Sequence, residues 1–223
     1  MSFPNAAKGI KKIYRAEILK LISYICLFFA AVTGAIAFLS TSDDVTSASS
    51  EALSMGGFIG AILFGAAFGI LMIIAFIMNL VGYFNARNDN ENFKTALVFL
   101  IVSIAFSIIS VIVLHNGLSN IIYSMSTLSE TLATIFVIAG VMQIANQLGR
   151  DDVNKKGATV LKLIITAEVI SFILTFISTF LRGGTTDIIS TALFLASLVV
   201  TFIKFIMYLS FLSKSKKMLQ EAQ

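Results

Sequence analysis

Six stretches of nearly unbroken apolar sequence, at 18–39, 55–84, 95–114, 128–145, 159–181 and 188–212, constrain this chain more than any other feature. Most reach or exceed the ~20 residues that a helix, rising about 1.5 Å per residue, needs to cross roughly 30 Å of hydrocarbon. They predict an all-α fold, a polytopic transmembrane helical bundle of six spans. At 57% hydrophobic and 13% charged residues, with a mean hydropathy of +0.94, the composition falls outside the soluble-globular range. The remainder is an N-terminal basic stretch, five connections and a basic end at 214–223. No separate soluble domain of about 50 residues fits there, so residues 1–223 are expected to form a single integral membrane domain with 214–223 as a basic cytoplasmic tail.

Basic residues sort by side. Lys8, Lys11, Lys12, Arg15 and Lys20 precede or enter the first span, whereas the connection at 40–54 carries Asp43, Asp44 and Glu51 and no base. Alternating from an inside N-terminus, Arg87, Lys94, Arg150, Lys155, Lys156, Lys214, Lys216 and Lys217 fall inside, and the third connection holds only His115. Arg182 alone of the sixteen Lys and Arg residues falls outside. This is the positive-inside pattern, and it predicts a multi-pass protein of a prokaryotic plasma membrane with both termini cytoplasmic. The net charge of +4 follows from topology and attraction to anionic lipid, and calls for no nucleic-acid partner. A basic start followed by an apolar run ending near Ala35-Ile36-Ala37 has the outline of a secretory signal. The run exceeds the about 7 to 15 residues of a signal core, so an uncleaved span is expected. Cys26, the single cysteine, can form no internal disulfide and reads as a small packing residue.

Shifting the chain on itself by 62 positions lays Asp89, Asn92, Lys94, Ala96, Val98, Ala105 and Ile108 on Asp151, Asn154, Lys156, Ala158, Val160, Ala167 and Ile170. A second echo joins Phe76-Ile77-Met78-Asn79-Leu80 to Phe205-Ile206-Met207-Tyr208-Leu209, and a third joins Ala16-Glu17-Ile18 to Ala167-Glu168-Val169. The three echoes predict three tandem helical hairpins, near 8–84, 92–148 and 156–213. Two-helix units return the chain to its starting side, so such copies are parallel repeats about an axis along the membrane normal. The connection at 40–54, rich in Ser, Thr and Asp, is expected to be flexible.

Helix contacts in lipid come from close packing, which small residues permit. Gly56, Gly60, Gly65 and Gly69 supply two small-xxx-small pairs on the second span, and Ala30 with Gly34 does so on the first. They are expected to pack spans one and two together, with a homodimer seam as the alternative. Pro4 is the only proline, so the spans should be mostly continuous.

Two charges lie deep. Glu168, about ten residues into the fifth span, and Lys204, about eight residues before the end of the sixth, reach similar depth if their helices are antiparallel neighbours. An unpaired charge there costs at least ~2.5 kcal/mol, so a Glu168–Lys204 pair is expected, serving either structure or transport. Glu17 has Lys20 three residues on and reads as a shallower ion pair. Glu130 reads as a first-turn or capping residue of the fourth span. Arg87-Asn88-Asp89 and Arg150-Asp151-Asp152 read as helix caps, not metal cages. Asn79, Gln143, Asn146 and Gln147 read as polar glue between helices.

Enzyme signatures are missing: no His-Glu-x-x-His, no glycine-rich phosphate loop, no Gly-x-Ser-x-Gly, and His115 as the sole histidine. The expectation is a non-enzyme with no catalytic residue, metal or cofactor. Six spans in three hairpins resembles the mitochondrial carriers, but their Pro-x-acidic-x-x-basic signature is absent. In size and span count the chain is similar to the substrate-binding components of energy-coupling-factor vitamin importers, a likeness of topology alone. Two functions remain in view: an accessory or interaction membrane protein, whose partners are the bilayer and another membrane protein or itself, and a small-solute transporter or its substrate-binding subunit using Glu168. The sequence does not name a small-molecule ligand.

Overall fold

The computed structural model describes residues 2–42, 48–113, 118–180 and 187–222, with side chains for all of these except 41–42, 48–53, 118, 120, 172, 174–180 and 187–198. The expected features at Asp43, Asp44, His115 and Arg182 lie outside the described residues. Six helices make up nearly all of the described chain: α1 (Pro4–Ser42), α2 (Ala48–Ala86), α3 (Glu91–Ile112), α4 (Leu118–Gln147), α5 (Asp151–Phe180) and α6 (Asp187–Glu221). No strand occurs among the described residues. Long helices apolar enough to cross a membrane cover Pro4–Ser40, Ser54–Ala86, Glu91–Ile112 and Ile121–Gln147.

Helix boundaries differ from the sequence expectation in four places. α1 opens at Pro4, whose fixed φ and missing N–H suit the first helical position, so the basic stretch is helical throughout. At 39 residues each, α1 and α2 run about 58 Å, well beyond a hydrocarbon core. The expected flexible connection at 40–54 shrinks accordingly, because α1 continues to Ser42 and α2 begins at Ala48. Residues 214–221, expected as a basic tail beyond the last span, are the last turns of α6, with Ser215, Met218 and Leu219 buried. Glu130 stands twelve residues inside α4, not at its start. The Ser/Thr-rich stretch before it is helical, with hydroxyls turned back onto carbonyls one turn earlier instead of competing for backbone N–H groups, as that of Thr127 is onto the Tyr123 carbonyl (3.2 Å) and that of Ser129 onto the Met125 carbonyl (2.8 Å).

Two compact units can be distinguished, Lys12–Val81 and Met1–Lys11 with Gly82–Gln223. The first is an antiparallel pairing of α1 and α2. Its contacts run from Glu17 with Asn79 at one end, through Phe29 against Phe64, to Thr33 and Ala37 against Gly57 at the other. A Cβ on Gly57 would lie 2.7 Å from the Thr33 carbonyl oxygen, and one on Gly60 would lie 3.2 Å from Thr33 Cγ2, so both glycines allow close approach. A Cβ on Gly34 would lie 3.7 Å from Ala61 Cβ, an ordinary contact. The other expected packing glycines do not take part. A Cβ on Gly56, Gly65 or Gly69 would meet no described atom within 4 Å. Relative to Gly57, Gly56 lies about 100° to one side of the helix and Gly65 and Gly69 about 80 to 120° to the other, so four-residue spacing alone does not select the contacting face.

In the second unit α3 packs on α4, α4 on α5 and α5 on α6, each pair antiparallel. Phe99 stacks on Phe136 at 5.5 Å, and the Ser126 hydroxyl meets both the Ser103 carbonyl (2.8 Å) and the Ser107 hydroxyl (2.6 Å). α4 ends in a Schellman turn: Arg150 N–H reaches the Ala145 carbonyl (2.8 Å), Gly149 N–H reaches that of Asn146 (3.1 Å), and Gly149 has φ 67°. Only glycine adopts that backbone without strain. Among the described residues, burial concentrates at the end that holds the α4–α5 turn, at Phe93–Leu100, Ala133–Ala145, Val153–Ala167 and Tyr208–Leu219, while Ile108, Ile112, Ile121 and Leu128 toward the other end of α3 and α4 are exposed. Lipid tails accommodate such apolar side chains as well as a protein core does.

Candidate functional site

One polar group in the second unit assembles from three helices. Glu168 lies seventeen residues into α5 and Lys204 lies seventeen residues before the end of α6, so antiparallel packing brings them to one level. Lys204 Nζ is 2.6 Å from Glu168 Oε1, a charge-assisted hydrogen bond. From α4, the Thr131 hydroxyl donates to the same oxygen at 3.3 Å. Oε2 takes no bond among the described residues. The pair is not sealed, since the side chains of Glu168 and Lys204 keep 32% and 27% of their surface open. Chemically, this is a neutral ion pair with one free carboxylate edge. Thr131 was not foreseen, because a lone threonine in a Ser/Thr-rich helix carries no sequence signal of its own.

Glu17 is the counterpart of Glu168 in the first unit and is deeper in protein than expected. It is buried, pairs with Lys20 at 3.1 Å and also accepts from Asn79 Nδ2 at 2.9 Å across the hairpin. Asn79 Oδ1 is buried with no hydrogen-bond partner among the described residues. The Asn/Gln groups bridge helices elsewhere too. Gln143 Oε1 accepts from Asn90 Nδ2 (3.0 Å) and Asn92 Nδ2 (2.9 Å), and Asn146 Oδ1 accepts from Asn154 Nδ2 (2.8 Å).

The two loop groups expected to cap their own helices act otherwise. Asn90 caps α3 by accepting from Asn92 N–H at 2.9 Å. Asp89 instead caps α1, its carboxylate accepting from Ala6 N–H at 2.7 Å and Asn5 Nδ2 at 2.8 Å. Asp152, in the first turn of α5, pairs with Lys214 (2.8 Å) and Arg150 (3.2 Å), and Arg150 also reaches Glu221 at 2.6 Å. Hydrogen bonds from Lys214 first and Arg150 second hold the Asp152 carboxyl far below the usual carboxylate range. Glu221 and then Asp152 raise Arg150. This network fastens the end of α6 to the start of α5, a contact across more than 60 residues that sequence spacing could not supply.

No protein-family model matches the chain, and neither a curated protein nor a solved structure is similar to it.

Proposed function

We propose that the chain is a six-span protein of a prokaryotic plasma membrane with both termini in the cytoplasm, acting as a non-catalytic accessory or interaction subunit. Four described helices long and apolar enough to cross a membrane support the multi-pass reading, and the sidedness of Lys and Arg supports the orientation. The observation that carries the functional reading is the mutual neutralisation of Glu168 and Lys204 between adjacent helices. Charges answered within the chain in this way need no ligand to neutralise them, and removing either partner leaves the other uncompensated.

A second reading, a small-solute transporter using Glu168, draws on one feature: a third of the carboxylate side chain remains open, and one of its oxygens has no described partner. Glu168→Gln, Lys204→Met and the double variant separate the two. A structural pair requires each single variant to lose thermal stability in detergent and the double variant to regain most of it. Recovery of stability in the double variant, together with capture of a membrane partner by the native chain but not by Glu168→Gln, supports the subunit reading. Single variants as stable as the native chain, with Glu168 labelled by an apolar carbodiimide as a protonating carboxyl would be, overturn it in favour of transport.

A further inference from the structure

α1 is one unbroken helix from Pro4 to Ser42, so relative positions along it are fixed by its own geometry. Lys8, Lys11, Lys12 and Arg15 fall at i, i+3, i+4 and i+7 and share one face about 100° wide. Lys8, Lys11 and Arg15 are exposed and Lys12 is half-buried, while Ala6, Gly9, Ile10, Ile13 and Ala16 on the opposite face are buried. The four cations occupy about 10 Å of helix. None has an acid or hydrogen-bond partner among the described residues, whereas Lys20, Arg150, Lys204 and Lys214 all meet carboxylates. Glu17, the only acid before Asp43, is taken by Lys20.

Depth and rigidity point the same way. α1 runs directly from Arg15 into the apolar stretch that begins at Ile18, so Arg15 and Lys12 stand about 5 to 9 Å outside it, near the level of headgroup phosphates, with Lys11 and Lys8 about 10 to 15 Å out along the same face. The first turns of this helix are already ordered. Asp89 caps them, and a Cβ on Gly9 would lie only 2.5 Å from the Gly82 carbonyl oxygen, a measure of how closely α1 meets the end of α2 there. A preordered cationic face needs little further ordering to bind anions.

We propose that Lys8, Lys11, Lys12 and Arg15 form a binding site for anionic phospholipid headgroups of the cytoplasmic leaflet. The test titrates the full chain in mild detergent with phosphatidylglycerol or phosphatidylcholine and counts bound lipid by native mass spectrometry. Each cation near an anionic surface contributes about fivefold to binding, so K8Q/K11Q/K12Q/R15Q is expected to lose phosphatidylglycerol at least about tenfold. The control K94Q/K155Q/K162Q/K217Q removes four other exposed lysines and is expected to change binding much less. K8R/K11R/K12R should retain native binding, and high salt should weaken the native chain more than the quadruple variant. Equal losses in both quadruple variants, or a loss in neither, would overturn the proposal, as would soluble polyphosphate binding that phosphatidylglycerol fails to displace. If the quadruple variant unfolds, the arginine variant and the salt dependence of the native chain decide: lost binding in the first or salt-independent binding in the second refutes the site.

Discussion

Alanine at Gly57 and alanine at its neighbour Gly56 should move stability in different directions. A methyl on Gly57 would lie 2.7 Å from the Thr33 carbonyl oxygen and 3.0 Å from both Ala37 Cβ and Ala37 N, while one on Gly56 meets nothing described within 4 Å. The atoms crowding Gly57 are mainly backbone, which cannot rotate away, so α1 and α2 must part by about 0.7 Å to reach ordinary contact. A gap of that size forfeits a quarter to a half of the dispersion attraction at each contact around it, and overpacking of this kind costs about 1–3 kcal/mol. Alanine gains about 0.8–1.0 kcal/mol over glycine in a helix interior, but both positions receive that gain and it cancels in the comparison. Gly57→Ala is therefore expected to be less stable than Gly56→Ala by about 1–3 kcal/mol. The measurement is unfolding of the full chain in mixed micelles followed by helical circular dichroism, with Gly65→Ala as a second open-face control. Equal stability of the Gly56 and Gly57 variants, or a greater loss at Gly56, would mean that the hairpin register is wrong.

Asp89→Ala removes the acceptor for Ala6 N–H and Asn5, and should destabilise by about 1–2 kcal/mol, read as faster amide exchange confined to the first turn of α1. Unchanged protection there would argue against capping by Asp89. Gly149→Ala forces a Cβ into a φ of 67° and should cost about 1–2 kcal/mol in thermal unfolding; a neutral result would mean that α4 does not end in this turn. For Asp152, the folded carboxyl titrates below the unfolded one, so the attachment of α6 to α5 is fully present above the ordinary Asp range near ~3.9 and is lost as pH falls through the lower folded value. Carboxyl 13C titration should place Asp152 below a free aspartate in the native chain, and the shift should shrink in Lys214→Met. An ordinary midpoint in the native chain would refute the network.

Much of the architecture was legible because it follows from solvation. Apolar runs of membrane length need only hydropathy and helix rise to be recognised. The level shared by Glu168 and Lys204 was legible for a related reason, since an acid and an amine inside long apolar runs demand an answer from a neighbouring helix. Helix ends were less legible. Pro4, Ser42 and Ala48 extend α1 and α2 beyond the apolar runs, because a polar residue outside the hydrocarbon does not break a helix. Glu130 was read as a helix start from its serine and threonine neighbours, but the Ser129 hydroxyl bonds back to its own helix and that of Thr131 reaches Glu168 on α5.

The sequence by itself determined that this chain forms long apolar helices and which residues in them are too polar to stand alone. Tertiary structure alone decided who answers them: Thr131 joins Glu168, Asn79 joins Glu17, Asp89 caps a helix more than 80 residues away, and Gly57 faces α1 where Gly56 does not. Periodicity fixes relative positions around one helix, but the rotation and register between two helices are set by contacts of a few tenths of an ångström, and those depend on both surfaces at once.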